Sequence, residues 1–169
     1  MADARRLAAS SFVSHKIARG DSPTHGAGVF ATQAIAKDEA LVLFTGPITE
    51  ASETDFEDYH LQIGEVRYIG PSGGLDDLVN HSCEPNAGFH GSSAAEAPLL
   101  VAKRAIAVGE EITMDYGAVI DEGDFTGFAC TCGASTCRGM VTSFRHLSEM
   151  KKQALKPWVM PYLREKYFG

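Results

Sequence analysis

Three cysteines fall within one short stretch, "CTCGASTC" (130–137), and no other feature restricts the fold of this chain as much. The C-x-C-x4-C spacing of Cys130, Cys132 and Cys137 suits a metal ion, and structural zinc takes four ligands in a tetrahedron, so a fourth must come from elsewhere. His146 is near in sequence, and Cys83 is the one cysteine left over. If Cys83 joins, every cysteine of the chain is used and two remote segments are pinned together. Disulfides are the poorer reading: Cys130 and Cys132 are too close in sequence to bridge easily, and Met1 to Arg19 shows no secretory h-region.

The 169 residues are enough for one domain with its own core, and an apolar content of 44% fits a globular chain. The apolar runs are only a few residues long, so no membrane-spanning helix is expected. The net charge of −7 lacks the basic footprint of a nucleic-acid binder and favours cationic ligands. The expectation is an intracellular protein, in cytoplasm or nucleus, with no direct nucleic-acid or membrane partner; its oligomeric state is open.

Along the chain, "RGDSPTHGAG" (19–28) and "PSGGLDD" (71–77) read as loops. Strands are expected over 29–32, 41–46, 98–106 and 111–116, with a hairpin over 59–69. One helical turn is expected in "ASETDFED" (51–58), and a frayed one around Arg5-Arg6. Ser148 is placed to cap a helix that Pro157 stops. Short strands with glycine-rich breaks indicate a mostly β domain. There is also an internal echo: 29–46 aligns without gaps on 100–117, with identities at Ala31/Ala102, Ala34/Ala105, Ile35/Ile106, Ala36/Ala107, Glu39/Glu110 and Gly46/Gly117. It predicts one hairpin geometry used twice.

Individual motifs are modest. "GAGVFA" (26–31) fits G-x-G-x-x-A, but a polar loop precedes it and β-formers follow, which argues against a dinucleotide fold; its glycines still permit close approach to a ligand. "NHSC" (80–83) invites a cysteine nucleophile activated by His81, yet a metal-bound thiolate is committed and no orienting partner stands out. Tyr116, at the end of "EITMDYG", reads alone as a packing residue.

Together, "GAGVFA", "NHSCEPN", "GEEITMDYG" and "CTCGASTCRG" stand in the order found in SET-domain protein-lysine methyltransferases, and the chain resembles that family. The resemblance implies a SET domain over 15–117, a post-SET zinc segment over 118–140, and a C-terminal helix and tail over 141–169. It implies small β-sheets with a threaded loop, S-adenosylmethionine as methyl donor, and a structural zinc held by Cys83, Cys130, Cys132 and Cys137. It further implies cofactor contacts from His25, Gly26, Ala27, Gly28, Asn80, His81, Phe128 and Thr131, with Tyr116 as the catalytic and cofactor-facing tyrosine. Tyr68 and Met114 would line the substrate channel. Met114 replaces the family's usual aromatic residue, which leaves the degree of methylation open. The short region 50–70 leaves the acceptor open between a lysine-containing protein or peptide and a small amine. A catalytically silent binding module is the remaining alternative. Glu84-Pro85-Asn86 is expected to turn the chain away from the site, and the aromatic tail 156–169 to pack on the body.

Overall fold

Glycine, aspartate and serine in 19–28 favour a turn, yet most of this stretch pairs. In the computed structural model, which describes residues 12–51, 60–91, 97–123 and 125–169, strand β1 (Ile17–Ser22) runs antiparallel to β2 (Gly26–Ala31), and only Pro23-Thr24-His25 turns. The expected loop is therefore a hairpin. Gly20 is required there, because a Cβ on it would stand 2.6 Å from the ring of Phe30. The turns expected in 51–58 and around Arg5 fall, almost wholly in the first case, outside the described residues.

The described strands form four small sheets. β1 and β2 continue into β10 (Glu111–Met114) and β7 (Asn80–His81), in the order β1-β2-β10-β7. β3 (Ala40–Leu43), β9 (Leu99–Ala102) and β8 (Ala87–His90) make a second sheet. β4 (Ile48–Glu50), β6 (Arg67–Ile69) and β5 (Leu61–Gln62) make a third, with the expected hairpin between β5 and β6. β11 (Phe128–Ala129) and β12 (Met140–Val141) pair beside the cysteine cluster.

The internal echo is not two separate hairpins. Each copy sends its first strand to one sheet and its second to the other, where it pairs with the opposite copy. Phe30 pairs with Glu111, and the equivalent Val101 pairs with Ala40. Ile35 and Ile106, equivalent to each other, exchange both backbone hydrogen bonds at 3.0 Å, as residues astride a local twofold must. The match extends to turns. Ala31 N–H donates to Glu110 O and Ala102 N–H to Glu39 O; Gly109 N–H donates to Ala31 O and Asp38 N–H to Ala102 O. Asp38 (φ 66°) and Gly109 (φ 82°) occupy the same left-handed position, and Asp38 is the non-glycine residue that accepts it.

Between these sheets lies the core, with Val29, Leu41, Phe89, Leu100, Ile106 and Ile112 essentially excluded from solvent. The tail packs on it, as expected. Ser148 caps α1 (Glu149–Leu155) by accepting from Lys151 N, and Pro161 opens α2 (Pro161–Phe168). Tyr162 and Leu163 are buried, and Phe144 meets the rings of Tyr167 and Phe168 edge-on at 4.9 and 6.1 Å. Trp158 lies so close to Gly88 that a Cβ there would be 2.7 Å away. No helix among the described residues is long and apolar enough to cross a membrane.

Candidate functional site

"VNHSCEPN" (79–86) is the hub. Two of its residues, Asn80 and His81, form β7, which pairs parallel with β10 through Thr113 and Met114. Asn80 donates both amide hydrogens inward, to Ala27 O at 2.9 Å and Glu111 Oε1 at 2.8 Å. This ties the Gly26-Ala27-Gly28 strand to β10 and leaves Asn80 Oδ1 able to accept a hydrogen bond. A Cβ on Gly28 would collide with Glu111, whereas one on Gly26 would meet nothing within 4 Å. The cradle is tight on its inner side and open on its outer side.

His81 is buried, and both ring nitrogens are engaged within the protein. Nδ1 accepts from Tyr116 N–H at 3.1 Å, which places the ring proton on Nε2, 3.4 Å from Cys83 Sγ. Burial pushes its pKa down to about 4, and Arg138 and Lys151 outweigh part of the opposing pull from Asp115, so the ring is neutral. Any share His81 takes in holding a cofactor falls to its backbone.

Cys83 approaches the other cysteines as the counting of thiols allowed. Its sulfur lies 3.7 Å from Cys130 Sγ, close to the ~3.8 Å edge of a tetrahedron with ~2.3 Å zinc–sulfur bonds. Cys137 interacts with the thiols of Cys130 and Cys132. Among the described residues the potential ligand atoms of His81, Cys83, Cys130 and Cys132 all lie within 4.8 Å of one another, a group that does not include Cys137. The His81 nitrogen in that group carries the ring proton and acts as a donor to sulfur, so Cys137 is the better fourth ligand. His146 is exposed and apart from the group. Backbone N–H groups point at the sulfurs: Cys83 N at Cys132, Arg138 N at Cys83, and Gly139 N at Cys137, each 3.4 Å. Burial opposes a thiolate at Cys132, but the N–H groups of Cys83 and Ala134 and the neighbouring thiols pull its pKa down to about 6. These donors stabilise sulfur anions, which is the chemistry a tetrathiolate zinc site needs.

Two side chains bind this cluster to the Tyr116 segment: Arg138, whose position beside the cysteines already marked it as a countercharge for their thiolates, and Lys151, which the sequence did not single out. Arg138 grips Asp115 in a two-pronged ion pair, 2.7 Å at each oxygen, and the Asp115 side chain is only 1% exposed. Lys151 sits 3.6 Å from Asp115 and donates to Cys83 O at 3.1 Å. The signal for Asp115 was present in "MDYG"; the spacing to Arg138 and Lys151 held none. Glu84-Pro85-Asn86 does not turn away from the site. Glu84 accepts from Ser135 and from both Thr136 donors, and Asn86 is locked to β10 through Glu111 O and Thr113 N.

Tyr116 donates its hydroxyl to Val79 O at 3.1 Å and faces a cavity of about 290 Å³. Met114 and Tyr68 line it, with Phe44, Leu61, Val79, Val119, Phe125 and Phe128. Phe128 lies edge-on to Tyr116 at 6.5 Å and to Phe125 at 6.2 Å, and is 44% exposed. His25 and Thr131 are exposed and show no contact that assigns them a role.

A mostly β fold with a four-cysteine centre clamped to a tyrosine-ended pocket defines a class of protein, and the comparisons agree. Residues 26–117 match the SET domain, and the chain belongs to that family. It is 32% identical over 143 residues to "Histone-lysine N-methyltransferase ATX2" of Arabidopsis thaliana, covering 75% of this chain and 13% of that one. It is 28% identical over 135 residues to "Histone-lysine N-methyltransferase, H3 lysine-4 specific" of Saccharomyces cerevisiae, covering 71% and 12%. The chain thus spans about an eighth of the length of these relatives. Among solved structures, KRYPTONITE in complex with mCHG DNA and SAH superposes with a TM-score of 0.64 at 24% identity, over 75% of this chain and 29% of that one. Arabidopsis thaliana SUVH6 in complex with SAM gives 0.66 at 20% identity, over 77% and 34%.

Proposed function

We propose that this chain is an S-adenosylmethionine-dependent methyltransferase acting on the ε-amine of a lysine in a protein substrate. The observation that carries the reading is Tyr116, which lines the apolar cavity and donates its hydroxyl to the carbonyl of Val79, the residue just before Asn80. Asn80 Oδ1 suits the ammonium of the cofactor, and the open face of Gly26 and Ala27 suits close approach of its backbone. When bound there, S-adenosylmethionine supplies a methyl group on a positively charged sulfonium.

The chain's own residues do the rest. Phe44, Val79, Met114, Val119 and Phe128 give the channel an apolar wall that disfavours the lysine ammonium (ordinary pKa ~10.4) against the carboxylates of Asp76, Asp77 and Glu122 on the same cavity, and the amine gives its proton to solvent before reaction. The hydrogen bond to Val79 O orients the Tyr116 oxygen at the head of that channel, where it meets the transferring group. His81 and Asp115 fix the Tyr116 backbone. The zinc, held by Cys83, Cys130, Cys132 and Cys137, supplies a crosslink between the "NHSC" segment and 130–137. The bundle 15–117, 118–140 and 141–169 is read as one working unit, with the last segment buttressing the site.

The relatives are named for histone lysines, and one structural neighbour, KRYPTONITE, was solved with an H3(1–15) peptide, DNA and SAH. A protein acceptor in the nucleus is therefore the favoured reading over a small amine or a silent module. Incubation with labelled donor and, in parallel, histones, cell-extract proteins and small amines tests it. Label is expected on protein lysine. Label on the amines alone, or no donor binding by calorimetry, defeats the reading. Chelation is expected to release one zinc per chain and to loosen 125–140 to proteolysis; a metal-free chain with intact protection would remove the crosslink.

A further inference from the structure

The cavity below Tyr116 is not isolated. A second one, about 670 Å³, opens beside it, and Gln62, Tyr68, Glu122 and Phe125 line both. The two differ in character. The first is largely apolar, while the second is walled by Glu65, Asp121, Arg145, Tyr162 and Lys166.

Most charges in the second cavity are matched. Asp121 receives Arg145 Nε at 3.2 Å, Lys166 Nζ at 3.2 Å and the Tyr167 hydroxyl; Lys166 also lies 2.7 Å from Glu65. Glu122 is different. Its Oε1 accepts the Tyr68 hydroxyl at 2.8 Å, and no cation pairs with it among the described residues. Tyr68 is 3% exposed, so it holds the carboxylate in a fixed place on the wall the two cavities share. The protein provides that half-buried charge with a neutral donor and no countercharge, which costs free energy unless a ligand completes it.

We propose that Glu122 docks a second, cationic side chain of the substrate, two residues from the target lysine, so that the enzyme selects lysines in a basic context. The spacing follows from extended-chain geometry: residues i and i+2 project to the same face about 7 Å apart, matching one peptide entering two cavities with a common wall. Arginine fits best, because its planar fork binds a carboxylate in two places. The proposal rests on the lysine-methyltransferase reading, but its test does not depend on turnover.

Peptides with one lysine in an alanine–serine background, and arginine at −2, −1, +1, +2 or nowhere, are titrated into the full chain by calorimetry and assayed for methyl transfer. Arginine at one of the two-residue positions is expected to lower Kd and KM roughly fivefold with kcat little changed, the scale of a partly exposed ion pair. The gain should shrink between 50 and 300 mM salt, concentrations chosen about the screening range. Glu122→Gln is expected to abolish the difference between peptides. Equal binding of all peptides by the unaltered chain overturns the proposal. So does a gain that tracks total charge irrespective of position, since the net negative field alone would explain it, or a preference that survives in folded Glu122→Gln. Ranked binding without methyl transfer would instead defeat the enzymatic reading and leave the docking role standing.

Discussion

Leu43-Phe44-Thr45-Gly46 and Met114-Asp115-Tyr116-Gly117 occupy equivalent places in the two halves of the repeat, and both border the cavity, the first through Phe44 and the second through Met114 and Tyr116, but only the second brings it a hydroxyl. The backbone does nearly the same thing in both. Thr45 N–H donates to the Asp76 carboxylate, and Tyr116 N–H donates to His81 Nδ1. Val42 is bridged by Val13, and its counterpart Thr113 pairs with Asn80. The contrast lies in what arrives at each frame. The first receives Val13 by a lone antiparallel bridge, and Phe44 packs on Phe89 at 5.6 Å. The second receives Asn80-His81 as a parallel strand, and Asp115 is buried against Arg138. The twofold frame alone does not distinguish the two ends; the segment that packs beside each one does.

The sharpest way to break this comparison is at its ends. Tyr116→Phe is expected to cut methyl transfer about 10²–10³-fold, the scale of one lost transition-state contact, while cofactor affinity changes little. Thr45→Ala, at the matched position, should leave turnover within about twofold. Single-turnover rates and calorimetry measure both, and equal losses would erase the asymmetry. Next comes the buried pair. Arg138→Ala strands the Asp115 carboxylate and is expected to lower stability by about 3 kcal/mol in urea, with Arg138→Lys recovering part of it.

Smaller effects probe the symmetry itself. Gly109→Ala forces a side chain into the left-handed position and should cost about 1 kcal/mol, whereas Asp38→Gly at the twin position relieves the same strain and should stabilise by up to about 1 kcal/mol. Opposite signs in thermal melts confirm the equivalence. The smallest effect concerns the two turn glutamates. Lys16 and the Ala36 N–H hold Glu39 below the ordinary value of 4.5, and Arg104 and the Ala107 N–H do so for Glu110. Because both folded values are depressed, their contribution is complete above pH 4.5 and is lost as pH falls through the lowered values. Glu39→Gln and Glu110→Gln should each flatten the acid limb of stability by a similar small amount, read from melts between pH 5 and 3.

The strands of the repeat were legible because alternating β-formers bounded by acidic turns state their own periodicity. β1 was not, since Gly20, Asp21 and Ser22 are poor strand formers that pairing with β2 overrides. Likewise "NHSC", "DYG" and the three clustered cysteines announced the site. For His81 the resemblance implied a cofactor contact, whereas its place between Tyr116 N–H and Cys83 Sγ follows from burial and tautomer, which no local pattern encodes. Arg138 was legible only as a charge beside the cysteines, and its grip on Asp115, like the approach of Lys151, appeared only once the fold brought three segments together.

The sequence by itself determined the ligand chemistry: four thiols, an amide and a phenol have their donor and acceptor properties wherever they lie. It determined as well that the chain would be built from short strands used twice. Only the tertiary structure decided the partners, because a thiol spacing counts ligands without locating the fourth. An ion pair such as Arg138 with Asp115, or a carboxylate such as Glu122 on a wall between two cavities, exists only where folding removes the water that would otherwise surround it.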